Sequence, residues 1–473
     1  MATVCESIDQ LKRGLEGFLK ISGNDVRVQD EKTLRSSLID DLIFTAVFSP
    51  QEEVRKASRW LIRRTGASLG ILSSSIMPLY EAMGRKEVAG FTVPAINIRA
   101  LTYDIAQAVF HAAMKGNVGP VIFEIARSEI DYTFQRPEEY TCAITAAAIK
   151  VGYKGPIFLQ GDHFQLSAKK YSAEPAKEVQ KVKDLIWEAI EAGFYNIDID
   201  SSTLVDLLKP TVAEQQKTNY SLAAELTTMI RDLQPAGIEI SVGGEIGEVG
   251  GKNSTVEELR AYMSGYLEDL HKSGADMKGI SKISVQSGTT HGGVPLPDGT
   301  IAKVKLDFNT LEQLSKVART EFGLAGAVQH GASTLPNEAF DRFPKTGTAE
   351  IHLATGFQNI IYDSKHFPSD LRDQIYGLIK TEFKSEKKDS DTEEQFIYKT
   401  RKKGFGPFKK ELWNLPKGVL CAISDELENQ FYFLFEKLNV KDKAPVVMKY
   451  IRPIDVPLKV PETLKAFSHC VAH

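Results

Sequence analysis

Between Phe91 and Ala354 eight short apolar runs recur, and longer stretches of helical character separate most of them. The runs are FTVPAIN (91–97), GPVIFEIA (119–126), GPIFLQGDH (155–163), YNIDID (195–200), GIEISVGGE (237–245), ISKISVQSG (280–288), LAGAVQH (324–330) and GTAEIHLA (347–354). Val- and Ile-rich strands alternating with amphipathic segments such as YDIAQAVFHAAMK and AKEVQKVKDLIWEAIEAG predict a parallel sheet covered by helices. Eight units is the count of a closed barrel. An open doubly wound sheet is the rival, but no GxGxxG follows the first run. The expected fold class is therefore α/β: a (β/α)8 TIM barrel with an N-terminal helical extension and a C-terminal helical and loop extension. The expected boundaries are 1–75 for the first extension, 76–382 for the barrel and 383–473 for the second.

The flanks are read from periodicity and charge. IDQLKRGLEGFLKI, LRSSLIDDLIFTAVF and EEVRKASRWLIRR all have helical apolar spacing, so residues 1 to about 75 are expected to be helices. After the barrel, KSEKKDSDTEEQ is a mixed-charge run expected to be an exposed loop. A basic segment, RKKGFGPFKK (401–410), follows it and is open to two readings, a solvated loop or an anion clamp.

Composition narrows the function classes. Of 473 residues, 42% are hydrophobic and 25% charged, with a net charge of −4, so no basic field favours nucleic acid or a membrane surface. Cys5, Cys142, Cys421 and Cys470 lie far apart with no CxxC pair, which argues against a disulfide framework. The N-terminus lacks the unbroken apolar region of a signal peptide, and no stretch of eighteen apolar residues occurs. A cytoplasmic location is expected.

Catalysis in such a barrel comes from residues at the C-terminal ends of different strands. The third run ends in Asp162-His163, the fourth in Asp198 and Asp200, and the fifth in Glu245. The sixth leads to His291, the seventh ends in His330, and the eighth carries His352. Only nine histidines occur in the chain, so four at or just beyond strand ends are more than scatter. Imidazoles from separate strands can surround a divalent cation, and three of them with one open position is the pattern of a catalytic zinc site. Asp200 and Glu245 could orient those ligands or hold a second metal position. The glycine-rich segments GGEIGEVGG, SGTTHGG and HGAS beside the same rim suggest a small anionic substrate. Lys282 lies at the start of the sixth strand, nine residues before His291, and is expected in the bottom layer of the barrel rather than at its catalytic face.

The set FTVPAINI, GDH, IDIDSS, GEIGEVGG, SGTTHGG, VQHGAS and EIHLATGFQN resembles the class II, metal-dependent fructose-bisphosphate and tagatose-bisphosphate aldolases over about residues 76–365. The resemblance implies a zinc-dependent lyase that cleaves a ketose phosphate, or a close analogue, through a metal-stabilised enediolate. A metal-dependent isomerase or transferase and a non-catalytic partner subunit are the alternatives. It implies His163, His291 and His330 as metal ligands, with Glu245 and Asp200 at alternative or second-site positions. It places Asp162 on the group that exchanges a proton with the C4 hydroxyl, and Asn97, Gly292, Ser333 and Thr355 on substrate or phosphate contacts. It also implies a homodimer or higher homo-oligomer.

Departures from the pattern fall on the substrate side. His352 and Ala354 replace a family asparagine and aspartate, and Ala126 replaces a phosphate-contacting serine. Glu248 is the nearest carboxylate left in the loop after the fifth strand, and so a further catalytic candidate. For His352 three roles are open: a donor to the substrate oxyanion, which is the expectation, a fourth metal ligand, or barrel packing.

Overall fold

The computed structural model describes residues 2–247, 252–288 and 306–465. Eight parallel strands close into a ring: β1 (Val93–Asn97), β2 (Ile122–Ala126), β3 (Gly155–Gln165), β4 (Asn196–Asp200), β5 (Ser241–Glu245), β6 (Lys282–Ser284), β7 (Ala327–Gln329) and β8 (Glu350–Leu353). Each strand pairs with its sequence neighbours, and β8 pairs with β1, from Glu350 opposite Val93 to Leu353 opposite Ile96. The ring is thus a (β/α)8 barrel. The strands are almost wholly buried because helices cover their outer faces, which is why they read as continuous apolar runs rather than alternating ones.

The helices Thr102–Lys115, Pro137–Val151, Pro175–Glu191, Val212–Leu233, Val256–Ser273 and Phe308–Phe322 follow β1 to β6 in order. Between β7 and β8 the longest helix is the four-residue Arg342–Lys345. The C-terminal helix Lys417–Lys437 packs on Thr102–Lys115. It sets Phe433 edge-on to Phe340 of the β7–β8 connection at 6.3 Å. Thr92 N–H donates to Leu438 O at 3.0 Å, so the returning chain is tied to the entry of β1.

The N-terminal residues differ from the all-helical expectation. The first helix ends at Leu15, and Leu19–Ser22 pairs antiparallel with Asp25–Val28. Gly17 (φ 78°) and Gly23 (φ 61°) take left-handed backbone, which stops the helix and allows the two-residue turn Gly23-Asn24. Ile71–Ser73 then joins the sheet beside the start of β3. Among the described residues, no helix is long and apolar enough to cross a membrane.

Candidate active site

The barrel floor is charged. Lys282 is 1% exposed, and its ammonium donates to Gln160 Oε1 (2.8 Å), Asp198 Oδ2 (3.0 Å) and Glu350 Oε1 (2.5 Å). The Tyr80 hydroxyl donates to the other oxygen of Glu350. Burial alone would favour the neutral amine, but Asp198 and Glu350 keep the lysine charged. Gly243 makes room for this layer, because a Cβ there would lie 2.3 Å from Asp198 Oδ1. The first glycine of GGEIG is therefore a packing requirement, and the part of the run GGEIGEVGG from residue 248 on lies outside the described residues. Lys282→Met should cost about 3–5 kcal/mol, since breaking a buried ionic group from one side leaves the carboxylates uncompensated. An unchanged urea midpoint would contradict the network.

Above that floor, β3 departs from regular geometry. Its pairing with β4 slips between Gly161 and Phe164, and His163 sits at φ 40°. In a regular strand successive side chains point to opposite faces. A bulge removes that constraint and re-aims a side chain, and here Asp162 and His163 both line the same cavity. The strained backbone of a non-glycine residue at positive φ is characteristic of functional positions.

His163 Nε2 and His330 Nδ1 face each other directly, with ring centroids 4.0 Å apart. The remaining ring nitrogens are held from behind. His163 Nδ1 lies 2.9 Å from Asp200 Oδ2 and 3.2 Å from Glu245 Oε2, and His330 Nε2 lies 3.1 Å from Ser284 Oγ. Carboxylate or hydroxyl partners on the far nitrogen are what fix the tautomer and direction of a metal-binding imidazole. Asp200 is also fixed by Gln165 and Ser202, and it sits behind His163 rather than in the cavity lining.

The electrostatics agree. Burial and the Asp200 charge push the Glu245 carboxyl up to about 7. Burial opposes a charged His163, but Asp162 and Glu245 outweigh it and raise its pKa well above the ordinary value. The potential at this pair of imidazoles therefore favours a cation. Donor type, direction and potential all fit a divalent metal held by His163 and His330. His291, the third expected ligand, lies outside the described residues, as do Gly292 and Glu248.

The cavity above these groups measures about 610 Å³. Of the expected site residues, Asn97, Asp162, His163, Glu245, His330, Ser333, His352 and Thr355 all line it. Ser333 Oγ accepts the Gly356 N–H at 3.0 Å at the start of helix Thr355–Asp363. Asn97 Nδ2 donates to Glu129 Oε2 at 2.6 Å, and Arg99 Nε donates to Glu129 Oε1 at 2.8 Å. His352, expected as an oxyanion donor, lines the cavity with carboxylates beside both ring nitrogens. Its Nδ1 lies 2.9 Å from Glu124 Oε2 and 3.1 Å from Asp162 Oδ1, and its Nε2 lies 2.7 Å from Glu350 Oε1. Both nitrogens are turned to carboxylates, and the ring stacks on His330 with centroids 4.0 Å apart.

The basic segment 401–410 divides. Arg401 is turned away from the cavity, bonded to Asp363 Oδ1 at 2.6 Å and Asn359 Oδ1 at 2.8 Å. Lys402 lines the cavity and has no carboxylate within ion-pair distance among the described residues. Burial and the neighbouring Arg99 charge push its pKa down to about 8. Sequence reasoning missed Glu124, Arg99, Glu129 and Glu350. For Glu124 and Glu350 a signal existed, an acid inside an otherwise apolar strand run.

Comparison with known proteins places these features in a family. The chain is 24% identical over 286 residues to the 6-phospho-5-dehydro-2-deoxy-D-gluconate aldolase of Shouchella clausii strain KSM-K16, covering 59% of this chain and 78% of that protein. Solved structures are looser likenesses. Fructose-bisphosphate aldolase from Campylobacter jejuni is 20% identical, covering 79% of this chain and 97% of that one, with a TM-score of 0.47. The putative fructose-1,6-biphosphate aldolase from Coccidioides immitis is 17% identical, covering 78% of this chain and 97% of that one, with a TM-score of 0.43. Residues 79–403, well over half of the chain, match the fructose-bisphosphate aldolase class-II family, and the chain belongs to that family.

Proposed function

We propose that the protein is a divalent-metal-dependent aldolase that cleaves or forms a carbon–carbon bond in a phosphorylated ketose or a close anionic analogue. The observation that carries this is the opposed pair His163 Nε2 and His330 Nδ1, each backed on its other nitrogen, with Asp162 beside them in the cavity. Imidazole donors suit zinc. When bound by His163 and His330, with His291 as the expected third ligand, the ion supplies Lewis-acid polarisation of the substrate carbonyl.

The protein's own groups carry the rest. Asp162 accepts the proton of the hydroxyl on the carbon beyond the scissile bond, and that proton must leave for the aldehyde to form. His352 holds Asp162 from the β8 side through the 3.1 Å contact and is a positioning residue. Glu129 orients Asn97 and Arg99 in the cavity wall. Ser333, Thr355 and the start of the helix Thr355–Asp363 offer an anionic end hydroxyl and backbone donors.

Lys402 is a second anion contact, lining the same cavity as Arg99. Lys402→Ala should raise KM for a phosphorylated substrate and leave the metal content unchanged. Because its pKa lies at about 8, the ammonium is present below that pH and lost above it. Wild-type KM should therefore climb as pH rises through 8, and the climb should vanish in Lys402→Ala. Parallel pH profiles for the two proteins would remove Lys402 from the site.

The reading is tested by solvent exchange. The protein incubated with a triose phosphate donor in D2O should exchange the carbon-bound proton next to the carbonyl, and His163→Ala should not. Absence of exchange in the metal-loaded wild type would count against it.

A further inference from the structure

Glu124 takes no part in the chemistry proposed above. It stands in the apolar run of β2 and is 0% exposed, and its Oε1 has no hydrogen-bond partner. Its Oε2 lies 2.9 Å from His352 Nδ1, and Asp162 Oδ1 lies 3.1 Å from the same nitrogen. Donor atoms from β2, β3 and β8 thus converge within 4.8 Å of one another. We propose that Glu124, Asp162 and His352 form a second divalent-cation site, next to the His163–His330 pair, for a hard ion of the Mn2+ or Mg2+ class.

Spacing supports it. Metal–ligand bonds of about 2.0–2.2 Å at right angles put neighbouring ligand atoms about 3 Å apart, as the two contacts to Nδ1 are. Two carboxylates to one imidazole is a donor set for a harder ion than the imidazole pair at His163 and His330. Charge supports it as well. Glu124, Asp162, Asp198 and Glu350 are four buried carboxylates, set against Lys282, His352 and, 3.9 Å from Asp162, His163. A buried excess of negative charge is costly unless a cation is taken up.

The support behind His352 is already in place. Nε2 makes no aligned hydrogen bond but lies 2.7 Å from Glu350 Oε1. That carboxylate is itself fixed by Lys282 and the Tyr80 hydroxyl. A carboxylate in this position takes the far N–H of a ligating imidazole and sets its tautomer. Asp162 and His352, 6% and 5% exposed, line the cavity beside the fully buried Glu124, so an ion would reach the site from the cavity side. The site shares Asp162 and His352 with the proposed function but is argued from the Glu124 and His352 contacts and not from the aldolase reading.

The test is Mn2+ stoichiometry on the full chain, stripped of metal and dialysed against Mn2+. Wild type should hold two ions, Glu124→Gln one, and His163→Ala the other one. A wild type that holds one ion, lost in His163→Ala and kept in Glu124→Gln, would overturn the second site and leave the proposed function standing. No bound ion in any of the three would overturn both. Should Glu124→Gln fail to fold, anomalous scattering from wild-type crystals grown with Mn2+ decides. A peak within bonding distance of Glu124, Asp162 and His352 is expected. A single peak between His163 and His330 would show that protons alone balance the Glu124 cluster and would refute the site.

Discussion

His163→Ala is expected to lose the cavity metal and to lower kcat/KM by about 10³-fold or more, since removal of even one donor from an oxyanion site costs about 10²–10³. His330→Ala should behave alike, because the two imidazoles face one position from opposite strands. The residues behind them should have graded effects. Asp200→Asn and Ser284→Ala leave the ligands in place and release their orientation, so metal affinity should fall by about 10–100-fold. Elemental analysis of the purified variants, with a melting curve to confirm folding, separates these outcomes. A folded His163→Ala that keeps the wild-type complement of zinc would exclude His163 as a ligand.

Asp162→Asn should separate the two halves of the reaction. The amide is nearly isosteric, so the metal at His163 and His330 should stay while kcat for cleavage falls by about 10²–10⁴, the scale of general acid–base catalysis. Exchange of the donor proton in D2O should persist, because that step does not involve the hydroxyl that Asp162 serves. Near-normal cleavage would assign the proton elsewhere. Loss of exchange and cleavage together would make Asp162 a ligand of the ion at His163 and His330.

The barrel and much of its rim were legible in the sequence because both follow from local pattern. Eight Val- and Ile-rich runs at regular spacing specify buried parallel strands, and chemistry at their C-terminal ends is a property of the architecture. Lys282 was legible as a bottom-layer lysine from its distance to His291. Directions were not legible. The slip at Gly161–Phe164 puts Asp162 and His163 on one face, which a period of two forbids. The orientation of His352 depends on Glu124 and Glu350, acids from two other strands, and no spacing within one run reveals that they meet. Arg401 and Lys402 are adjacent and both cationic, yet Asp363 claims one and the cavity takes the other. Near the N-terminus, Gly17 with left-handed backbone ends a helical pattern that runs through it to Ile21, and Gly23 just beyond turns the chain back.

The central claim, carbon–carbon bond cleavage that depends on a divalent ion, is tested most directly by one retro-aldol assay. The protein is stripped of metal and presented with a panel of ketose phosphates and their unphosphorylated and sulfonated analogues, with excess chelator or with zinc. The predicted result is aldehyde release from at least one phosphorylated or sulfonated ketose, absent with chelator and restored by zinc. Cleavage at full rate in excess chelator would contradict it.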